Sequence, residues 1–196
     1  MRTLAIALLS AALLSPLCRA ELPRVGEPLP PLAIEDRGEL LLAEDRPVFQ
    51  PWQTDSSPAQ PRVVQYLAAR FSTSRINEPF TDALEAARLD PAHHQVITIL
   101  NLDEALWGTR SLVLKELEKN KRQHPHAILV VDADGEGRNQ WQLESAGSAI
   151  LLVDAENTVQ FFKQGALTDA EIEQVLAALR EAMPSAAAEG EDAPAR

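Results

Sequence analysis

The sequence predicts an α/β domain with a mixed central β-sheet, helices on both faces and an N-terminal β-hairpin. Three observations carry this. Short β-branched runs (62–67, 95–100 and 127–131) alternate with amphipathic stretches, and strand–helix–strand order implies parallel pairing, because parallel strands need a long crossover. A late hairpin, Ala149–Val153 with Thr158–Lys163 around Asp154-Ala155-Glu156-Asn157, adds antiparallel strands. The chain has 196 residues, 45% of them apolar, which suits one domain with a real core.

The elements follow in order. Residues 22–31 hold prolines 23, 28, 30 and 31 and read as an extended lead-in. Leu32-Ala33-Ile34 and Leu40-Leu41-Leu42 flank Glu35-Asp36-Arg37-Gly38, which predicts a hairpin turned at Gly38. Residues 47–61 are expected to form a polar loop holding Trp52. Arg62 to Leu67 is a buried strand, followed by the polar segment Arg70 to Asn77 and a helix with Phe80, Ala83, Leu84 and Ala87 on one face. Gln95 to Leu100 is a second buried strand, and Asn101 to Gly108 a loop. Ser111 is expected to cap a helix ending near Arg122, where Lys119, Lys121 and Arg122 complement the helix dipole. After the third strand, Asp132-Ala133-Asp134-Gly135 predicts a turn and Arg138 to Leu143 a returning strand, so the chain reads as having two similar hairpins. Thr168-Asp169-Ala170-Glu171 is a capping box, and Ile172, Val175, Leu176, Leu179 and Met183 then share one helical face.

The two ends read differently. Residues 1–20 have the form of a secretory signal peptide: Arg2, an apolar stretch from Leu4 to Leu14 too short for a bilayer, the breaker Pro16, and small residues at Cys18 and Ala20 for a cut after Ala20. An uncleaved anchor and a lipoprotein on Cys18 are the alternatives, the latter opposed by Leu17 where a small residue is wanted. Cleavage would remove Arg2, Arg19 and Cys18, the only cysteine, and take the net charge from −11 to −13. Residues 184–196 are Ala-rich and acidic and read as a disordered tail. The expected domain is 21–183, in a periplasmic protein with no membrane span after the signal.

The strand and helix order resembles the thioredoxin fold in its peroxiredoxin/TlpA-type elaboration. Asp36-Arg37-Gly38-Glu39-Leu40, Arg62-Val63-Val64-Gln65 with Ala68 and Arg70, Glu118-Lys119-Asn120-Lys121, Trp141-Gln142-Leu143 and Gly165-Ala166-Leu167-Thr168 resemble the YtfJ family of bacterial periplasmic proteins. That resemblance implies a thioredoxin-like fold without hand-over of a mechanism. By alignment on Tyr66-Leu67-Ala68, the two cysteine positions of thioredoxin-like oxidoreductases fall on Phe71 and Ser74, and Pro79 keeps the spacing of a proline those proteins carry. Their cis-proline position falls on Ser148, with the isomer of the preceding bond left open. Thiol-disulfide exchange and cysteine peroxidase activity need a thiolate, so both are argued against.

Arg70, Phe71, Ser72, Thr73, Ser74 and Ser148 therefore form a degenerate active-site position and the candidate binding site. A guanidinium beside hydroxyls at a helix start can hold a small anionic ligand; equally, Ser72 or Ser74 can cap the helix. The leading expectation is a ligand- or protein-binding module whose partner is a periplasmic protein or a small anion. The alternatives are an enzyme using Arg70 with the Ser72, Thr73 and Ser74 hydroxyls, and weak calcium binding at Asp132, Asp134, Glu136 and Gly137. The calcium pattern fails at its twelfth position, Leu143. The pairs His93-His94 and His124-Pro125-His126 are of a kind that can bind metal, but each sits at a helix-to-strand loop where polar residues are expected, and no H-E-x-x-H spacing exists. No G-x-S-x-G elbow is present, and no cofactor or metal is expected. Trp107 and Trp141 read as pocket lining or core anchors, and Lys115, Lys119, Lys121 and Arg122 as an exposed helix face. The acidic charge, the secretion signal and the lack of a helix-turn-helix pattern exclude nucleic acid as a partner.

Overall fold

A computed structural model describes residues 20–56 and 59–184. The expected signal peptide, apart from Ala20, and the expected tail, apart from Pro184, lie outside them. The chain runs through β1 (Ala33–Ala43), β2 (Arg46–Gln53), β3 (Arg62–Ala68), α1 (Phe71–Ser74), α2 (Glu78–Ala86), β4 (Gln95–Asn101), a 3-10 turn (Leu102–Glu104), α3 (Arg110–Gln123), β5 (Ile128–Asp132), α4 (Glu136–Gln140), β6 (Ser148–Val153), β7 (Val159–Gln164) and α5 (Asp169–Ala182). The seven strands form one sheet in the order β2-β1-β5-β4-β3-β6-β7. Strands β3, β4 and β5 are mutually parallel, while β1 and β6 flank them antiparallel. This is the mixed α/β sheet that the alternation of apolar runs predicts.

Alternation along β3 sends successive side chains to opposite faces. Val63 packs with Phe80, Leu84, Ile150, Leu152, Ile172, Val175 and Leu179 under α2 and α5. Its neighbour Val64 packs with Leu32, Ile34, Trp52, Ile97, Ile99, Trp141 and Leu151 on the other side. Helix α3 continues the first layer, with Val113, Leu114 and Leu117 against Leu100, Leu102 and Val131. The second face is covered by the lead-in and by α4, whose end is anchored by Trp141, fully buried and donating its Nε1–H to the Pro30 carbonyl at 2.9 Å. Helix α5 starts as expected: Thr168 Oγ1 accepts from the Glu171 amide, and Glu171 reaches back to the Thr168 amide at 2.7 Å. Its four buried apolar side chains contribute about 1.5–3 kcal/mol each.

Four local expectations are corrected. Gly38 is not a hairpin turn: β1 continues through it as a bulge, with Arg37 and Gly38 at φ of 68° and 73° and the register shifting between Ile34 and Glu39. The hairpin turns instead at Glu44-Asp45, both at positive φ. The stretch expected as a polar loop from 47 contains β2 up to Gln53, with Trp52 3% exposed. Pro47 and Pro51 are tolerated there because β2 is an edge strand and has one side free of ladder bonds. Residues 138–143 do not form a strand. The place beside β5 is taken by β1, and the Asp132 carboxylate accepts the Glu136 and Gly137 amides at 2.8 Å each, which starts α4. The two turns therefore differ, one opening a helix and the other a hairpin. Finally, Thr109 and not Ser111 stands at the N-cap position of α3.

Candidate functional site

The parallel strands end in one row. Ala68 of β3 lies beside Asn101 of β4, and Asn101 beside Asp132 of β5, while β6 enters beside Leu67 at Ser148. In open α/β sheets, ligands bind beyond the carboxyl ends of the parallel strands, so this edge is the chemically relevant pole. The chain leaves β3 through Ala69, whose amide donates to the Asn101 carbonyl at 3.0 Å, and turns directly into α1. All six expected residues, Arg70, Phe71, Ser72, Thr73, Ser74 and Ser148, belong to segments at this pole.

Their roles differ from one another. Arg70 occupies the N-cap position of α1 in extended backbone without a side-chain cap, and Asn77 that of α2, so Ser72 stands at neither N-cap position. The Arg70 Nε donates to the Glu104 carbonyl at 3.0 Å, tying the exit of β3 to the 3-10 turn after β4. Thr73 is fully buried, and its hydroxyl lies 3.4 Å from the Ala146 carbonyl as donor. Ser148 is buried, and its Oγ accepts from Asn77 Nδ2 at 2.9 Å. The peptide bond preceding Ser148 is trans. Phe71, by contrast, is 70% exposed. Beyond the 3-10 turn, Leu106 is exposed and Trp107 is 100% exposed, whereas Trp52 and Trp141 are core residues.

Two residues that the sequence reading passed over hold this pole together. Asn77 is buried at the α1–α2 junction; its Nδ2 donates to Ser148 Oγ and to the Gly165 carbonyl, and its Oδ1 accepts from the Leu167 amide at 3.0 Å. Glu104 is buried as well. Its Oε1 accepts from Ser145 Oγ at 2.7 Å and from the Ala146 amide at 2.6 Å, its Oε2 accepts from Asn101 Nδ2 at 3.2 Å, and the Arg138 guanidinium stands 3.6 Å away. The available signal was modest: an acid following a buried strand in Asn101-Leu102-Asp103-Glu104.

The remaining candidates resolve into structure. Asp132 is fully buried, and besides the two α4 amides it accepts from the Tyr66 hydroxyl at 2.7 Å, so the loop expected as a calcium half-site is a helix cap. Burial first, then the Asp132 carboxylate, holds the Tyr66 phenol well above its ordinary pKa. The Tyr66 oxygen in turn accepts the Arg138 amide at 2.9 Å, and its ring meets Trp141 edge to face with centroids 6.4 Å apart. Among the described residues, no group of three His, Cys, Asp or Glu side chains could hold a metal ion. The His94 ring is bonded to the Asp90 carbonyl at 2.8 Å. The basic face expected on α3 is broken at Lys121, which is buried and donates to the Ala127 carbonyl; desolvation lowers its pKa.

A family model described as a bacterial protein of unknown function (YtfJ_HI0045) matches residues 24–182. The uncharacterised protein YtfJ of Escherichia coli (strain K12) is 34% identical over 168 residues, covering 86% of this chain and 91% of its own. An uncharacterised protein of Haemophilus influenzae is 33% identical over 153 residues, covering 78% and 83%. Among solved structures, the thiol peroxidase from Chromobacterium violaceum superposes with a TM-score of 0.54 at 16% identity, covering 84% of this chain and 90% of that one. Mycobacterium bovis AhpC gives 0.54 at 18%, covering 84% and 97%, and a thiol-disulfide isomerase from Corynebacterium glutamicum gives 0.52 at 16%, covering 82% and 96%. At these identities the likeness establishes the fold, which is thioredoxin-like. The sequence carries one cysteine, at position 18, outside the described residues.

Proposed function

The chain belongs to the YtfJ_HI0045 family of bacterial proteins of unknown function, and from that membership we propose a non-redox binding module that engages a partner protein through the pole at Arg70–Ser74. Phe71 carries the reading. The resemblance puts the first reactive cysteine of thioredoxin-like oxidoreductases there, and this chain has instead an aromatic ring that is 70% exposed. Trp107 stands in the loop beyond the adjacent strand, 100% exposed, and the Arg70–Glu104 hydrogen bond fastens the two segments to each other. Exposed aromatics are costly in water and enriched where proteins meet. The hydroxyls support binding over catalysis: those of Thr73 and Ser148 are buried and engaged within the fold. Thiolate chemistry has no atom to work with in residues 21–183.

Export to the periplasm is part of the same reading. It rests on Arg2, the apolar stretch Leu4–Leu14 and a cut after Ala20, and it is consistent with Ala20 being exposed at the start of the lead-in. No helix among the described residues is long and apolar enough to cross a membrane.

The test is a photo-crosslinking amino acid placed at position 71 in the full chain, expressed in its own host, with Glu173 on the exposed side of α5 as the control position. A discrete adduct at 71, absent at 173 and reduced several-fold by Trp107→Ala, is the expected result. Turnover of peroxide or of insulin disulfides by the purified protein would overturn the reading.

A further inference from the structure

Arg62 opens β3 at the end of the sheet opposite Phe71, and it is 4% exposed. One Nη donates to Asn157 Oδ1. Among the described residues it forms no ion pair; the nearby Asp154 carboxylate is taken up by the Glu156 and Thr158 amides at 3.0 and 2.7 Å and by the Gln160 side chain. A buried guanidinium whose hydrogen-bond partner is a neutral amide is poorly compensated, since buried charges are ordinarily paired. Desolvation accordingly lowers its pKa, against a smaller opposing effect of Asp154.

Arg62 and Asn157, hydrogen-bonded to each other, are among the polar residues lining a cleft of about 470 Å³, within the size range of small-molecule sites. Leu29, Leu32 and Ala155 supply apolar wall, and exposed Asp55 stands at its rim. The walls are fixed in advance. The Leu29 amide donates to the Asn157 carbonyl at 2.9 Å, and the Leu32 amide donates to Thr54 Oγ1 at 3.2 Å. A planar guanidinium fork matches a carboxylate, and Asp55 and Asp154 oppose a second negative charge on whatever enters.

We propose that this cleft binds a small apolar monocarboxylate, its carboxylate paired with the Arg62 guanidinium and its hydrocarbon lying against Leu29 and Leu32. The site is separate from the Phe71 pole and independent of the reading placed there. The probe is hexanoate, titrated into the isotope-labelled full chain and followed by amide NMR, with neutral hexanamide and inorganic phosphate as comparisons. Saturable shifts centred on Leu32, Thr54 and Asn157 are expected, weakened about tenfold or more by Arg62→Met and by exchange of hexanoate for hexanamide. If Arg62→Met fails to fold, Ala155→Trp fills the cleft from its turn and should abolish the shifts. Equal binding of hexanamide, tighter binding of phosphate, no saturation at millimolar hexanoate, or shifts centred on Arg70–Ser74 would each overturn the proposal.

Discussion

Tyr66 is the only tyrosine in the chain, which makes its environment directly measurable. Its hydroxyl donates to Asp132 and accepts the Arg138 amide, both in the interior. Losing a buried hydrogen bond to a charged acceptor costs about 1.5–3 kcal/mol, so Tyr66→Phe should lower the urea-unfolding free energy by that amount. The pH dependence follows from the raised folded-state pKa. The stabilisation is complete below the unfolded value of about 10 and drains as pH rises beyond it, by about 1.4 kcal/mol per pH unit. Tyrosinate absorbance in the native protein should therefore appear only together with unfolding, and Tyr66→Phe should flatten the alkaline loss of stability; a free titration near pH 10 in folded protein would contradict the network. The sequence showed Tyr66 as a buried strand residue but not its hydroxyl's partners. Those sit at 132 and 138, and only parallel pairing on both sides of β4 places the end of β5 across one intervening strand from Tyr66, within reach of its hydroxyl.

Gly38 illustrates the same limit for an element. An Asp-Arg-Gly stretch between two apolar triplets has every local mark of a turn, yet β1 keeps going because Leu40–Ala43 pairs onward with residues 46–49. At that bulge, a Cβ on residue 38 would lie 2.1 Å from the Gln50 carbonyl oxygen, in backbone at φ 73° that side chains disfavour. Clash and strain together put Gly38→Ala at about 2–4 kcal/mol of destabilisation, measured by chemical denaturation. A cost below 1 kcal/mol, on the order of an ordinary surface change, would show the hairpin yielding there. Capping and helical periodicity were more legible: Thr168–Glu171 and the 172–183 face lie within a few residues of each other, so the sequence contains the whole device. The Asp132 cap of α4 was hidden because an Asp-x-Asp-Gly stretch serves hairpins and helix starts alike.

For the molecule as a whole, the mixed sheet and its helices were readable from apolar runs, and the candidate pole from the resemblance at Phe71 and Ser74. What was not readable is how distant loops are bound at that pole. Asn77 joins the α1–α2 junction to Ser148 at the start of β6 and to the 165–167 loop before α5. Asn77→Ala would strand the Leu167 amide and loosen both segments; we expect about 2–3 kcal/mol lost by denaturation, with amide exchange accelerating first at 146–148 and 165–167. Uniform acceleration across the sheet would show that Asn77 is not a local tie. The lead-in has a consequence of another kind. Gln142 donates to the Ala20 carbonyl, the Glu21 amide to the Gln140 carbonyl and Trp141 to the Pro30 carbonyl, across separations of 122 and 111 residues in the first and last cases. A polypeptide that emerges amino end first must carry that segment undocked until residues 140–142 have appeared, because closing so long a loop is repaid only when both sides exist. Residues 20–30 are thus among the last of the described residues to find their place, and a chain halted before Trp141 would keep that segment open to proteases and chaperones.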